Sequence, residues 1–140
     1  AIIQTFQPDA PAIQRAAAHD YPGFADQELE DRRRFGLPPI RRMARILVRD
    51  PGETKAWTLA ETVAERLGTI APEGEIEIRP PAACPIARVA GRYRIQLEVL
   101  GDSPAAVSRL LSSARSSGMF SGPLALGEAV AIDVDPTALL

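Results

Sequence analysis

The chain is 140 residues long, with 46% hydrophobic, 24% charged and only 5% aromatic residues, and a formal net charge of -2. These figures suit one domain with an appendage, its core built from Ile, Leu, Val and Ala, and they argue against a strongly basic, autonomous nucleic-acid binder, whose affinity rests on neutralising phosphates. The single cysteine, Cys84, permits neither an internal disulfide nor a Cys-rich zinc site, and no apolar run approaches the roughly 18 residues of a membrane span.

In chain order, residues 1–6 read as a short strand ending at the turn-like Gln7-Pro8-Asp9. Residues 11–18 read as a helix with Pro11 at its first position. A second, heavily charged helix spans 22–34, with Glu28, Glu30 and Asp31 ahead of Arg32, Arg33 and Arg34, an order that complements the helix dipole. Gly36 suits its C-terminal cap and Pro38-Pro39 forbids continuation, so a boundary is placed between residues 1–39 and 40–140.

Beyond it, residues 42–49 alternate as a strand with Ala44, Ile46 and Val48 on one face. Residues 52–68 give the clearest helix, with Ala56, Leu59, Ala60, Val63, Ala64 and Leu67 forming one apolar stripe. Residues 75–79 form a short half-buried strand, and 92–100 alternate with Tyr93, Ile95, Leu97 and Val99 inward. Ser103 caps a helix with Pro104 at its start, the stripe Val107, Leu110, Leu111 and Ala114, and Gly118 at its close. Residues 129–134 make a last strand. Each strand has one apolar face and each helix one stripe. The predicted fold is therefore α+β: a ferredoxin-like βαββαβ two-layer sandwich with both helices on one side of a four-stranded sheet, preceded by a short strand and two linker helices.

No constellation for catalysis stands out. No P-loop pattern surrounds Lys55, the only lysine. Asp133 and Asp135 form an Asp-x-Asp pair with both side chains expected on one face; they suit Mg²⁺ in principle and a solvated strand end more simply. His19, the only histidine, has no neighbour that would make it a general base. Cys84 reads as a small buried hydrophobe. The arginines carry more information. Arg41, Arg42, Arg45 and Arg49 line the first strand of the sandwich, and Arg88, Arg92 and Arg94 flank and enter the third, its central neighbour. Arg45 and Arg49 share a face, as do Arg92 and Arg94, and that face points away from the helices. It suits contact with a phosphate backbone, without base readout because Tyr93 points inward. The other reading is a salt-bridged sheet face covered by another domain, with Glu75, Glu77 and Glu98 as partners. A regulatory or structural domain binding a small molecule or a protein subunit is the alternative function.

Three stretches add a resemblance. They are Ile2-Ile3-Gln4-Thr5 through Pro8 followed by His19-Asp20-Tyr21, Phe24, Glu28-Leu29 and Arg32; Gly36-Leu37-Pro38-Pro39; and Gly91-Arg92-Tyr93-Arg94-Ile95-Gln96 with Ile132-Asp133-Val134-Asp135-Pro136. In this order and spacing they resemble the primosomal protein N-prime (PriA) family of replication-restart DNA helicases. The chain departs from the family at residues 79–86, at Leu37 and Ile40 around the Pro-Pro pair, and at Pro104 and Ser108. At those last two positions some members carry Arg and Gln that help receive the acidic tail of the single-stranded-DNA-binding protein. The resemblance implies a ribosomal-protein-like C-terminal domain, with residues 1–39 ending the second helicase lobe. It implies a parent that uses ATP, Mg²⁺ and structural zinc held elsewhere, since no Walker motif or zinc cysteine set lies in these residues. The partners it implies are forked or single-stranded DNA, the helicase core of the same chain, the single-stranded-DNA-binding protein and other primosome proteins. The location it implies is cytoplasmic and nucleoid-associated.

Overall fold

A computed structural model describes residues 2–125 and 127–136. The chain divides into two compact units, Ala1–Leu37 and Pro38–Leu140.

The first unit is a pair of helices, α1 (Pro11–Ala17) and α2 (Tyr21–Phe35). Asp20 starts α2: its carboxylate accepts the Gly23 N–H at 3.0 Å and pairs with Arg15. Along α2, Arg32 pairs with Glu28 at 2.7 Å and Arg33 with Glu30 at 3.4 Å. Gly36 ends it at φ 60°, with the Leu37 N–H bonded back to the Arg32 carbonyl. Neither helix contains a buried residue. Residues 2–6 are irregular, which corrects the strand expected there. A strand needs a neighbour for its N–H and C=O groups, and this unit offers none. Ile2 and Phe6 are fully exposed.

The second unit consists of β1 (Arg42–Asp50), α3 (Glu53–Ile70), β2 (Ile76–Ile78), β3 (Ala82–Val89), β4 (Arg92–Gly101), α4 (Pro104–Ser116) and β5 (Val130–Val134). The sheet runs β2-β4-β1-β5, with β3 also on β4, and every pairing is antiparallel. β2 takes the C-terminal half of β4, where Ile78 faces Val99. β3 takes the other half, from Ala82 opposite Gln96 to Val89 opposite Arg92. The sheet is therefore five-stranded rather than four-stranded. The expected edge strand continues past a break at Arg79-Pro80-Pro81, where the prolines have no N–H to give the ladder. The arrangement is compatible with the expected two-layer α+β sandwich.

The core follows the predicted parity. Ala44, Ile46 and Val48 of β1, Ile95, Leu97 and Val99 of β4, and Val130 of β5 are buried against Ala56, Ala60, Val63 and Leu67 of α3 and Val107, Leu110, Leu111 and Ala114 of α4. Met119, Phe120 and Leu124, beyond α4, also enter the core, which the helix stripes did not reveal. Ser103 caps α4 through the Ala106 N–H at 3.2 Å. Gly101 lies where β4, β2 and α4 converge: a Cβ there would stand 2.6 Å from Cγ2 of Val107 and 3.0 Å from Cδ1 of Ile76.

Candidate nucleic-acid interface

The central pair β1–β4 sets Arg45 opposite Glu98, Leu47 opposite Gln96 and Arg49 opposite Arg94, all on the parity opposite the core. This is the face the sequence singled out, and it is electrostatically divided.

Toward one end, arginines and carboxylates interlock. Arg41 contacts Glu77 at 2.6 Å and Asp102 at 2.9 Å and donates to the Leu100 carbonyl at 3.3 Å. Arg79 bridges Glu98 at 3.0 Å and Glu77 at 3.2 Å. Arg45, only 12% exposed, lies 3.6 Å from Asp133. Burial opposes ionisation of Glu77, but Arg79 and Arg41 outweigh it and hold its carboxyl below the ordinary value. Met43 and Leu100, paired within this region, are buried. Glu77 and Glu98 are thus the partners anticipated from sequence. Glu75 goes instead to Arg109 on α4, at 2.8 Å. Arg79, Asp102 and Asp133 were not foreseen in this network, because ion-pair partners depend on strand register rather than on residue type.

Toward the other end the arginines have different company. Arg49 donates to the Gly127 carbonyl at 3.1 Å and Arg94 to the Ile86 carbonyl at 3.3 Å. The Nε of Arg49 is buried with no acceptor among the described residues. Arg88 stacks over the ring of Tyr93 with its guanidinium carbon 5.0 Å from the centroid. Arg92 is exposed and follows the Ala90-Gly91 turn. Both turn residues have positive φ, 49° and 76°, as a type I′ hairpin turn requires. Among the described residues, Arg49, Arg88 and Arg92 form no ion pair. The nearest β1 carboxylate, Asp50, has the opposite parity and is itself engaged. It accepts the Gly52 N–H at 2.9 Å and meets Lys55 at 2.9 Å, and these two, in that order, hold its pKa below the ordinary value.

The structure therefore brings Arg49, Arg92 and Arg94 to one end of the outer face, sets Arg88 on the other face of the hairpin beside Tyr93, and ties Arg41, Arg42 and Arg45 to carboxylates. Arg42 pairs with Asp135. The Asp133/Asp135 pair does not act jointly: each goes to a different arginine, because Asp135 at φ 52° has already left the strand. Cys84 is buried beside Gln96, to whose Oε1 it donates at 3.5 Å, and burial pushes its thiol pKa up against the opposing pull of Arg94 and Arg45. His19, at φ 55° beyond α1, borders a cavity of about 310 Å³ with Arg15, Asp20, Tyr21 and Phe24. A second cavity, of about 160 Å³, lies along α4 and is lined by Arg42, Pro104, Ser108, Leu111, Arg115 and Asp135 among others. Among the described residues no group of three or more His, Cys, Asp or Glu side chains is placed to hold a metal ion, and no helix is long and apolar enough to cross a membrane.

A family model described as the Primosomal protein N C-terminal domain matches residues 33–137. The chain belongs to this family. As a primosomal protein N C-terminal domain it is part of a replication restart protein. Replication restart protein PriA of Treponema pallidum (strain Nichols) is 34% identical over 99% of this chain, which covers 20% of that relative. The PriA of Bacillus subtilis (strain 168) is 34% identical over 79% of this chain and 14% of its own length. That of Synechocystis sp. is 31% identical over 99% of this chain and 16% of its own length. The chain thus spans a fifth or less of these relatives. The family match begins at Arg33, inside α2, whereas the Treponema and Synechocystis relatives align with the preceding residues as well. Among solved structures, the de novo designed protein Foldit4 aligns over 70% of this chain at 12% identity with a TM-score of 0.48, too weak a likeness to bear on function.

Proposed function

We propose that this chain is the DNA-contacting and partner-binding domain of an ATP-dependent replication-restart helicase, without catalytic machinery of its own. Its DNA contact lies at Arg49, Arg88, Arg92 and Arg94. One observation carries this reading: Arg49 and Arg94 face each other across the central strand pair. Two guanidinium groups on neighbouring strands suit a phosphate that accepts hydrogen bonds from both. Arg92, on the adjoining hairpin, extends the patch on the same face, and Arg88 adds a cation on the hairpin's other face. Arg41, Arg42 and Arg45 serve the sheet instead, since each already neutralises a carboxylate.

In this reading ATP, Mg²⁺ and structural zinc belong to parts of the parent outside these residues. The first unit, with its exposed Ile2, Phe6, Tyr21 and Phe35, joins the domain to the helicase core. The cavity along α4, with Arg42 and Arg115 on its wall, supports contact with a primosome protein such as the single-stranded-DNA-binding protein. In this reading the protein acts at DNA forks, in the cytoplasm and with the nucleoid. The interlocked half of the sheet face favours a second reading for that half alone: a structural surface that another domain covers.

The test is fluorescence anisotropy of the chain with labelled branched DNA across a salt series. Binding is expected in the micromolar range, with log K falling against log salt at a slope of about -3 to -4, as for roughly four phosphate contacts. No binding at low salt would move the domain's role to packing and protein partners.

A further inference from the structure

Single strands and duplexes ask for different surfaces. A protein that binds single strands without sequence preference combines a basic groove with exposed aromatic rings on which successive bases stack. A duplex keeps its bases stacked inside and presents two phosphate walls, about one charge per 1.7 Å of axis. The aromatic residues of the second unit are Trp57, Tyr93 and Phe120. All three pack against the core cluster on the helix side of the sheet. Tyr93 is in addition covered by the Arg88 guanidinium. The arginine face therefore has charge without a stacking platform.

The β3–β4 hairpin adds shape. Its tip, Ala90-Gly91, carries nothing larger than a methyl group. Val89 pairs with Arg92 and Arg88 with Tyr93, so the strand pleat sends Arg92 and Arg88 to opposite faces of the ribbon. A slim two-stranded ribbon fits a duplex groove about 12 Å wide. We infer that the basic end of the sheet selects double-stranded over single-stranded nucleic acid. The β3–β4 hairpin lies in a groove, and Arg88 and Arg92 reach the phosphate backbones on either side. The inference rests on the DNA-contact reading above and names the form of nucleic acid that the contact takes. It also predicts indifference to sequence, because the tip has no side chain with which to read base edges.

The experiment compares the 140-residue chain on a short labelled duplex and on one of its separated strands, across a salt series, with Arg88→Ala and Arg92→Ala alongside. The duplex is expected to bind about tenfold more tightly at low salt. Each variant is expected to weaken duplex binding about three- to tenfold and to reduce the salt slope by roughly one, with little change on the single strand. Both side chains sit on the exposed hairpin, and matching thermal melts would show that the variants fold. Equal or tighter single-strand binding would overturn the duplex preference while leaving the DNA-contact reading intact. A duplex preference untouched by either variant would overturn the hairpin's placement. Absence of binding to both forms would remove the DNA-contact reading itself, and this inference with it.

Discussion

Asp50 shows how much one side chain can organise at the turn from β1 into α3. Among the described residues it is the only charged one that is buried, and it holds the Gly52 N–H that opens the helix together with Lys55 of the first turn. Its folded pKa lies below the ordinary value, so the stability it contributes is present above about pH 4 and is lost as pH falls through the folded pKa. Replacing Asp50 with Asn should cost about 1 kcal/mol at pH 7, and wild type and variant should converge once the pH has fallen through the folded pKa of Asp50. Urea titrations at neutral pH and below the folded pKa check this, and a constant difference would show that Asp50 acts without its charge. At this scale the sequence was legible in parity. It placed Tyr93 on the inner face and Arg45, Arg49, Arg92 and Arg94 on the outer. It could not choose ion-pair partners: Glu75 and Glu77 are two residues apart, yet one meets Arg109 of a helix and the other Arg41 and Arg79 of the sheet.

Among the elements, α3 and α4 could be read almost outright, because an apolar stripe of helical period identifies both the element and its buried face. β4 and β1 followed from alternation with one side apolar. β3 left no such trace: Cys84 is its only buried residue, Pro85 interrupts it, and its turn lacks the Asn-Gly or Asp-Gly signal of a two-residue hairpin. The hairpin that carries half of the candidate site was therefore invisible, although its arginines had been singled out. The misread strand at residues 2–6 shows the converse, since apolar, β-prone residues make a strand only where a partner edge exists. A sharper test of packing lies at the β4–α4 junction. Gly101→Ala would press a methyl group against Val107 and Ile76, and it should destabilise the domain by about 1–3 kcal/mol, read as a lower urea midpoint with an unchanged slope. An unaffected midpoint would mean that α4 shifts freely.

For the whole molecule, a net charge of -2 hides a separation of charge. Arginines and carboxylates cancel over one half of the outer sheet face, leaving the other half basic, and composition averages the two. Stability is divided in a similar way. Among the described residues every buried hydrophobic side chain lies between Met43 and Val130, whereas α1 and α2 have none. Amide hydrogens of α1 and α2 should exchange orders of magnitude faster than those of β1 and β4, and a chain beginning at Pro38 should unfold cooperatively near the melting temperature of the full chain. A large drop in melting temperature on this truncation would count against the independence of the second unit.

The Arg79-Pro80-Pro81 break has a consequence for how the protein behaves in a crowded solution. Without it, β2 and β3 would form one continuous outer edge alongside β4, a long row of unsatisfied donors and acceptors available to a neighbouring copy. Two consecutive residues without N–H groups separate the three residues of β2 from β3, and Pro85 interrupts β3 in turn, so no long unbroken row remains to template another strand. The irregularity that made this edge hard to recognise also guards the sheet against growing from molecule to molecule.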